Sequence, residues 1–166
     1  RPEIPPILAR FAPIADRSDR NVARVTDILE TSAEAHRVRE APAEALTLYR
    51  RVLERDPDRP SWIWAALLAE RLEGATPLAW LEAAERKATQ PARKRGMQGF
   101  RDERLGRTTE ALAALRESVS LDPQQPQLRQ LLFRTLLREG HTDEARREIA
   151  WFARQVEAGD ATLRSY

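Results

Sequence analysis

From Asp19 onward the chain settles into an apolar rhythm of threes and fours. Val22, Val25, Ile28 and Leu29 mark a first helix that the pattern carries to about Arg39. After Ala41 and Pro42, a second helix is predicted from about Ala43 to Arg55, burying Ala45, Leu46, Tyr49, Val52 and Leu53. The DPDRP turn at residues 56–60 ends it, because proline cannot continue a helix and drives the preceding residue out of helical angles. Ser61 is placed to cap the helix that follows. Three more pairs come next: SWIWAALLAERLE with PLAWLEAAERKA, KRGMQGFRDERL with TEALAALRESVSL, and QLRQLLFRTLLRE with DEARREIAWFARQVE. Gly74, Gly106 and Gly140 stand where the first helix of each of these pairs must stop, a place that suits a left-handed residue, whereas the first pair has Glu40 there. Upstream, Pro2, Pro5, Pro6 and Pro13 predict an irregular or briefly helical lead-in over residues 1–25, kinked or stopped at Pro13. Its Ile7, Leu8, Phe11 and Ile14 either cover the first helix pair or are the tail of a preceding unit.

The helical pattern repeats. Residues 40–57, EAPAEALTLYRRVLERDP, can be laid without a gap over residues 106–123, GRTTEALAALRESVSLDP. Ala45, Ala79, Ala111 and Ala145 recur at separations of 34, 32 and 34 residues, and Pro57, Pro91 and Pro123 at 34 and 32. A two-helix unit of this period, with a small residue early in its second helix, a large apolar residue four later and a closing proline, resembles the tetratricopeptide repeat. The fold expected is all-α: a right-handed α-solenoid of stacked antiparallel helix pairs. Four repeats fall at about 26–59, 60–91, 92–125 and 126–159, with a tail at 160–166. The small residues let paired helices approach, and the large ones fill the space between repeats. The first helices match the family less well than the second. The two-residue shortening lies between Pro91 and Gly106, so the third repeat needs either a late-starting first helix or a tight approach loop. Gly96 and Gly99 lower that helix's propensity by about 1 kcal/mol each.

Composition adds exclusions. With 42% hydrophobic and 33% charged residues the chain is a folded one with a highly charged surface, and no stretch is apolar enough to span a membrane. There is no cysteine for a disulfide, thiolate site or nucleophile. The only histidines, His36 and His141, lie far apart without a ligand cluster, and no phosphate loop, nucleophile elbow or dinucleotide fingerprint occurs. No catalytic residue, metal or cofactor is therefore expected, and the chain reads as non-enzymatic. The 28 basic residues barely exceed the 26 acidic ones. All but Lys87 and Lys94 are arginine, a bias that with abundant alanine points to a GC-rich bacterial genome. The densest basic run is Arg93-Lys94-Arg95 with Arg101, Arg104 and Arg107. It reads as a solvated helix face or as a polyanion site, with only Phe100 nearby to stack on a base.

The resemblance implies that ligands bind in a concave groove lined by the first helix of each pair. Carried across, groove positions are Asp27, Glu30, Glu34 and Arg37, then Trp64, Leu68 and Arg71, then Arg93, Phe100 and Arg104, then Gln130, Arg134 and Arg138. Such a groove would be acidic at one end, apolar in the middle and basic at the other, with Trp64 as anchor for a peptide or protein partner. Trp64 and Leu68 have a competing reading as core residues, and Trp62, Trp80 and Trp151 are assigned to packing. The family members that grip a chaperone's C-terminal carboxylate use lysine and asparagine where this chain has Glu30, Glu34, Ala65, Arg93 and Met97, which disfavours that activity. The function implied is a protein interaction scaffold. Because the chain starts at Arg1 rather than methionine, it is expected to be a piece of a longer bacterial protein, such as a periplasmic exopolysaccharide-export component. The alternatives are the substrate-recruiting arm of a glycosyltransferase or other enzyme, or polyanion binding through residues 93–107. Nucleic acid is not the expected partner.

Overall fold

A computed structural model describes the backbone of residues 12–159 and the side chains of residues 20–159. Among the described residues there are eight helices and no strand, the all-α make-up of a helical-repeat fold. The helices are α1 (Ala12–Val38), α2 (Pro42–Arg55), α3 (Trp62–Glu73), α4 (Leu78–Lys87), α5 (Pro91–Arg104), α6 (Thr108–Leu121), α7 (Pro126–Arg138) and α8 (Thr142–Glu157). The chain forms two compact units, Arg1–Leu72 and Glu73–Tyr166.

In the first unit α1 is longer than the hydrophobic pattern suggests. The expected lead-in is helical from Ala12 on, with Pro13 in its first turn, where a missing N–H costs nothing. The expectation for Ile7, Leu8 and Phe11 falls outside the described residues, and that for Ile14 outside the described side chains. At 1.5 Å per residue, the 14 residues of α2 pair with only about half of the 27 in α1. Ala33 and Thr26 are consequently buried, whereas Val22, Val25 and Ile28 are exposed. From α2, Ala45, Leu46, Tyr49, Val52 and Leu53 are all buried, as their spacing predicts. Ser61 does not cap α3: its buried Oγ makes no hydrogen bond among the described residues, and the first turn is held by backbone bonds to Arg59 and Pro60.

In the second unit α6 is the centre of packing, with Ala111, Leu112, Ala114, Leu115, Ser118 and Val119 buried. Its Ser118 hydroxyl donates to the Ala92 carbonyl of α5 at 2.7 Å. On α5, Gly99 faces Leu115 so closely that a Cβ would lie 2.7 Å from the leucine Cγ. Here the glycine's cost in helix propensity is offset by a close approach that no other residue permits. Gly99→Ala is expected to destabilise the fold by about 1–2 kcal/mol, because displacing a fully buried Leu115 costs more than the propensity gained. Urea unfolding followed by circular dichroism measures this, and a more stable variant would contradict it.

The repeat register differs from expectation at α4. Three residues, 75–77, separate Gly74 from α4, against one after Gly106 and one after Gly140. After this longer turn Leu81, Ala84 and Ala88 are buried and Ala79 is exposed. Pro91 does not close a unit as Pro57 and Pro123 do. It opens α5, as Pro126 opens α7, after a loop of only three residues, 88–90. The shortening therefore falls on α4, which has 10 residues against 14 in α2 and α6, and α5 keeps a full 14. Trp62 and Trp151 are core residues as expected, while Trp80 is only half-buried.

Candidate partner-binding cleft

Within the first unit, Glu30, Glu34 and Arg37 follow each other at helical spacing on α1, as do Trp64, Leu68 and Arg71 on α3. A cleft of about 420 Å³ lies between the end of α1, the start of α2 and α3, lined by Arg37, Glu40, Pro42, Trp64, Leu67, Leu68 and Arg71. Trp64 is half-buried; Leu68 is 7% exposed, a core residue that also borders the cleft. Glu40, Pro42 and Leu67 were not foreseen. The signal for Glu40 was present, since it replaces the glycine found at the equivalent turn of the other pairs.

Arg37 is held in place from two sides. Its guanidinium lies over the Trp64 ring, 4.1 Å from the centroid. It also engages Glu34 through both carboxylate oxygens, the Nε contact measuring 3.0 Å. The buried Tyr49 hydroxyl donates to the same Glu34 at 2.7 Å. The hydrogen bond from Arg37 holds the Glu34 carboxyl below its ordinary value of 4.5, against the opposing effect of burial, with Tyr49 assisting. Burial and the neighbouring Glu34 push the Tyr49 hydroxyl upward, so it stays a donor. A core tyrosine thus fixes a carboxylate, the carboxylate fixes an arginine, and the arginine covers one face of the tryptophan.

The depressed Glu34 has a sign. Its contribution to stability is in place above pH 4.5 and is lost as pH falls through the lower folded-state value. Glu34→Gln is expected to cost about 1 kcal/mol or less at neutral pH, the pair being partly solvent-screened, and to flatten the loss of stability on the acid side. Urea midpoints measured from about pH 3 to 7 test this, and an unchanged acid limb would count against it.

The rest of the predicted acidic end is not available to a ligand as isolated charge. Arg59, from the α2–α3 loop, donates to Glu30 at 2.9 Å, Asp27 at 2.7 Å and Asp56 at 2.9 Å, tying the loop to α1. The sequence pattern could not reveal this, because Arg59 lies between helices and belongs to no periodic face.

In the second unit Phe100 is fully buried, which removes it from the groove. Arg104 lies over its ring, 4.4 Å from the centroid, and pairs with Glu103. Glu103 also accepts from Arg138 at 2.7 Å. Burial raises the Glu103 carboxyl, but Arg138 and Arg104 together hold it below the usual range. Arg134 and Gln130 are exposed on α7. Arg93, 8% exposed in its side chain, lies 3.0 Å from Asp122. Arg95 pairs with Glu117 and Arg101 with Glu85, while Arg107 approaches Asp102 at 3.6 Å. Apart from Lys94, the basic run is internally compensated. A second cavity, about 380 Å³, borders α6, α7 and α8; beside it Arg116 forks onto Glu144, and Arg129 binds Glu148 and covers Trp151.

Among the described residues no group of three or more His, Asp or Glu side chains could hold a metal ion, and no helix is long and apolar enough to cross a membrane. A search of curated proteins gave no match. Residues 104–150 match a family model described as tetratricopeptide repeat, a stretch holding α6, α7 and more than half of α8.

Proposed function

Taking the chain as the bearer of a tetratricopeptide-like domain, a protein-interaction scaffold, we propose that it is non-catalytic and binds an extended peptide segment of a protein partner at the Trp64 cleft. The observation that carries this is the half-buried Trp64, on a helix that buries Trp62, Ile63, Ala65, Ala66, Leu68 and Ala69, with Arg37 over one face of its ring and Leu67 and Leu68 beside it in the cleft lining. An anchor whose neighbours are already ordered loses little conformational entropy on binding, which suits an aromatic hot spot. A repeat array in a polysaccharide-secretion assembly is one setting for such an arm. Polyanion binding through residues 93–107 is disfavoured, because their guanidinium groups already have carboxylate neighbours and counterion release would gain little.

The test is hydrogen exchange. Peptides are selected from a random displayed library on the whole chain, and amide exchange is compared with and without the tightest one. Slowed exchange at the end of α1 and along α3 is expected. Protection confined to α5–α8 would overturn the reading.

A further inference from the structure

We propose that Glu40 sets the specificity of the cleft by receiving the basic side chain of a peptide whose neighbouring apolar side chain rests on Trp64 and Leu68. The inference rests on the cleft being a peptide site. It begins from three copies of one helix ending. At Gly106 the N–H bonds the Glu103 carbonyl and the next N–H reaches back to Asp102. At Gly140 the partners are Leu137 and Leu136, and at Glu40 they are Arg37 and His36. Each residue at the turn has a left-handed backbone: φ is 73° at Gly106, 77° at Gly140 and 59° at Glu40.

Glycine takes that conformation without penalty, whereas glutamate has a Cβ that crowds the following carbonyl. Among the described residues Glu40 alone is a non-glycine with positive φ. The motif itself therefore does not call for glutamate, and the reason for it lies in the side chain. Glu40 lines the cleft, is exposed, and has no ion-pair partner among the described residues. Backbone strain kept beside a cleft is what a binding residue shows when its placement outweighs its cost.

The charges around the cleft define the complementary ligand. Arg37 is already engaged by Glu34, so it offers its stacked face rather than a free charge. Glu40 and Arg71, an anion and a cation that both line the cleft, have no ion-pair partner among the described residues. A segment reading basic, apolar, acidic satisfies all three places.

The experiment uses the whole chain with Glu40→Gly and Glu40→Gln. Relief of strain should raise the Tm of Glu40→Gly by roughly 2–4 °C and leave that of Glu40→Gln near the parent's. Peptides selected from a displayed random library on the parent chain should be enriched in a lysine or arginine beside an apolar residue. By fluorescence polarisation both variants should bind them roughly three- to tenfold more weakly at low salt, the difference shrinking as salt rises. Equal affinity of parent and variants, or selected peptides without the basic residue, overturns the role of Glu40 and leaves the cleft standing. If no selected peptide depends on Trp64, this inference and the peptide-site reading fall together.

Discussion

Replacing Phe100 with alanine is expected to destabilise the protein by about 3–5 kcal/mol, the largest effect of any substitution considered. The ring is fully buried on α5, one residue from Gly99 and its close contact with α6, in a region where neighbours have little room to collapse. Truncation leaves a cavity and deprives the Arg104 guanidinium of the ring it covers at 4.4 Å. Set against a total stability of about 5–15 kcal/mol, that loss brings the chain near its unfolding threshold. Chemical denaturation followed by circular dichroism measures it. The affinity of the remaining folded protein for a cleft-binding peptide should not change. A variant of unaltered stability that binds more weakly would return Phe100 to the binding surface.

Trp64→Ala is expected to behave in the opposite way. The ring is half-buried and forms part of the cleft, so its removal should weaken peptide binding by roughly 2 kcal/mol or more, about thirtyfold in Kd. Helical circular dichroism should be retained, since α3 keeps Trp62, Ile63, Ala65, Ala66 and Ala69 buried. Isothermal titration with a selected peptide gives the affinity, and a thermal melt gives the stability. A collapsed melt would assign Trp64 to the core, and an unchanged affinity would remove it from the site. The two aromatics occupy comparable groove positions by sequence, so the contrast between their variants separates packing from recognition.

The positions most legible in the sequence were those that pack one helix against its partner. Ala45, Ala111 and Ala145 recur because paired helices approach closely only where the facing side chain is small, and all three are essentially inaccessible. Ala79 broke the series. Ala79 stands as far from Gly74 as Ala111 does from Gly106, but α4 begins only at Leu78, and a repeat read from letters does not register that late start. Pro91 misled for a related reason, since proline both closes and opens helices, and only the loop lengths on either side decide which it does.

The candidate site was less legible than the fold. Helical spacing puts Trp64, Leu68 and Arg71 on one face of α3, but Arg37 comes from α1 and joins them in one cleft only through packing. Their chemistry came from elsewhere: Tyr49 and Glu34 orient Arg37, and Arg59 compensates Glu30 and Asp27. Charge patterning assigns signs along a helix, but a salt bridge depends on which side chains meet across helices and loops.

By itself, then, the sequence determined an all-helical chain of paired helices, most helix ends, and the buried face of α2. Periodicity, small residues and proline are local signals that act through backbone geometry. Only the tertiary structure decided that Phe100 is core, that the arginines of the basic run meet carboxylates, that Ala79 is exposed on α4, and that Glu40 stands beside a cleft. Each of these depends on the distance between residues remote in the chain, which packing sets and local pattern does not encode.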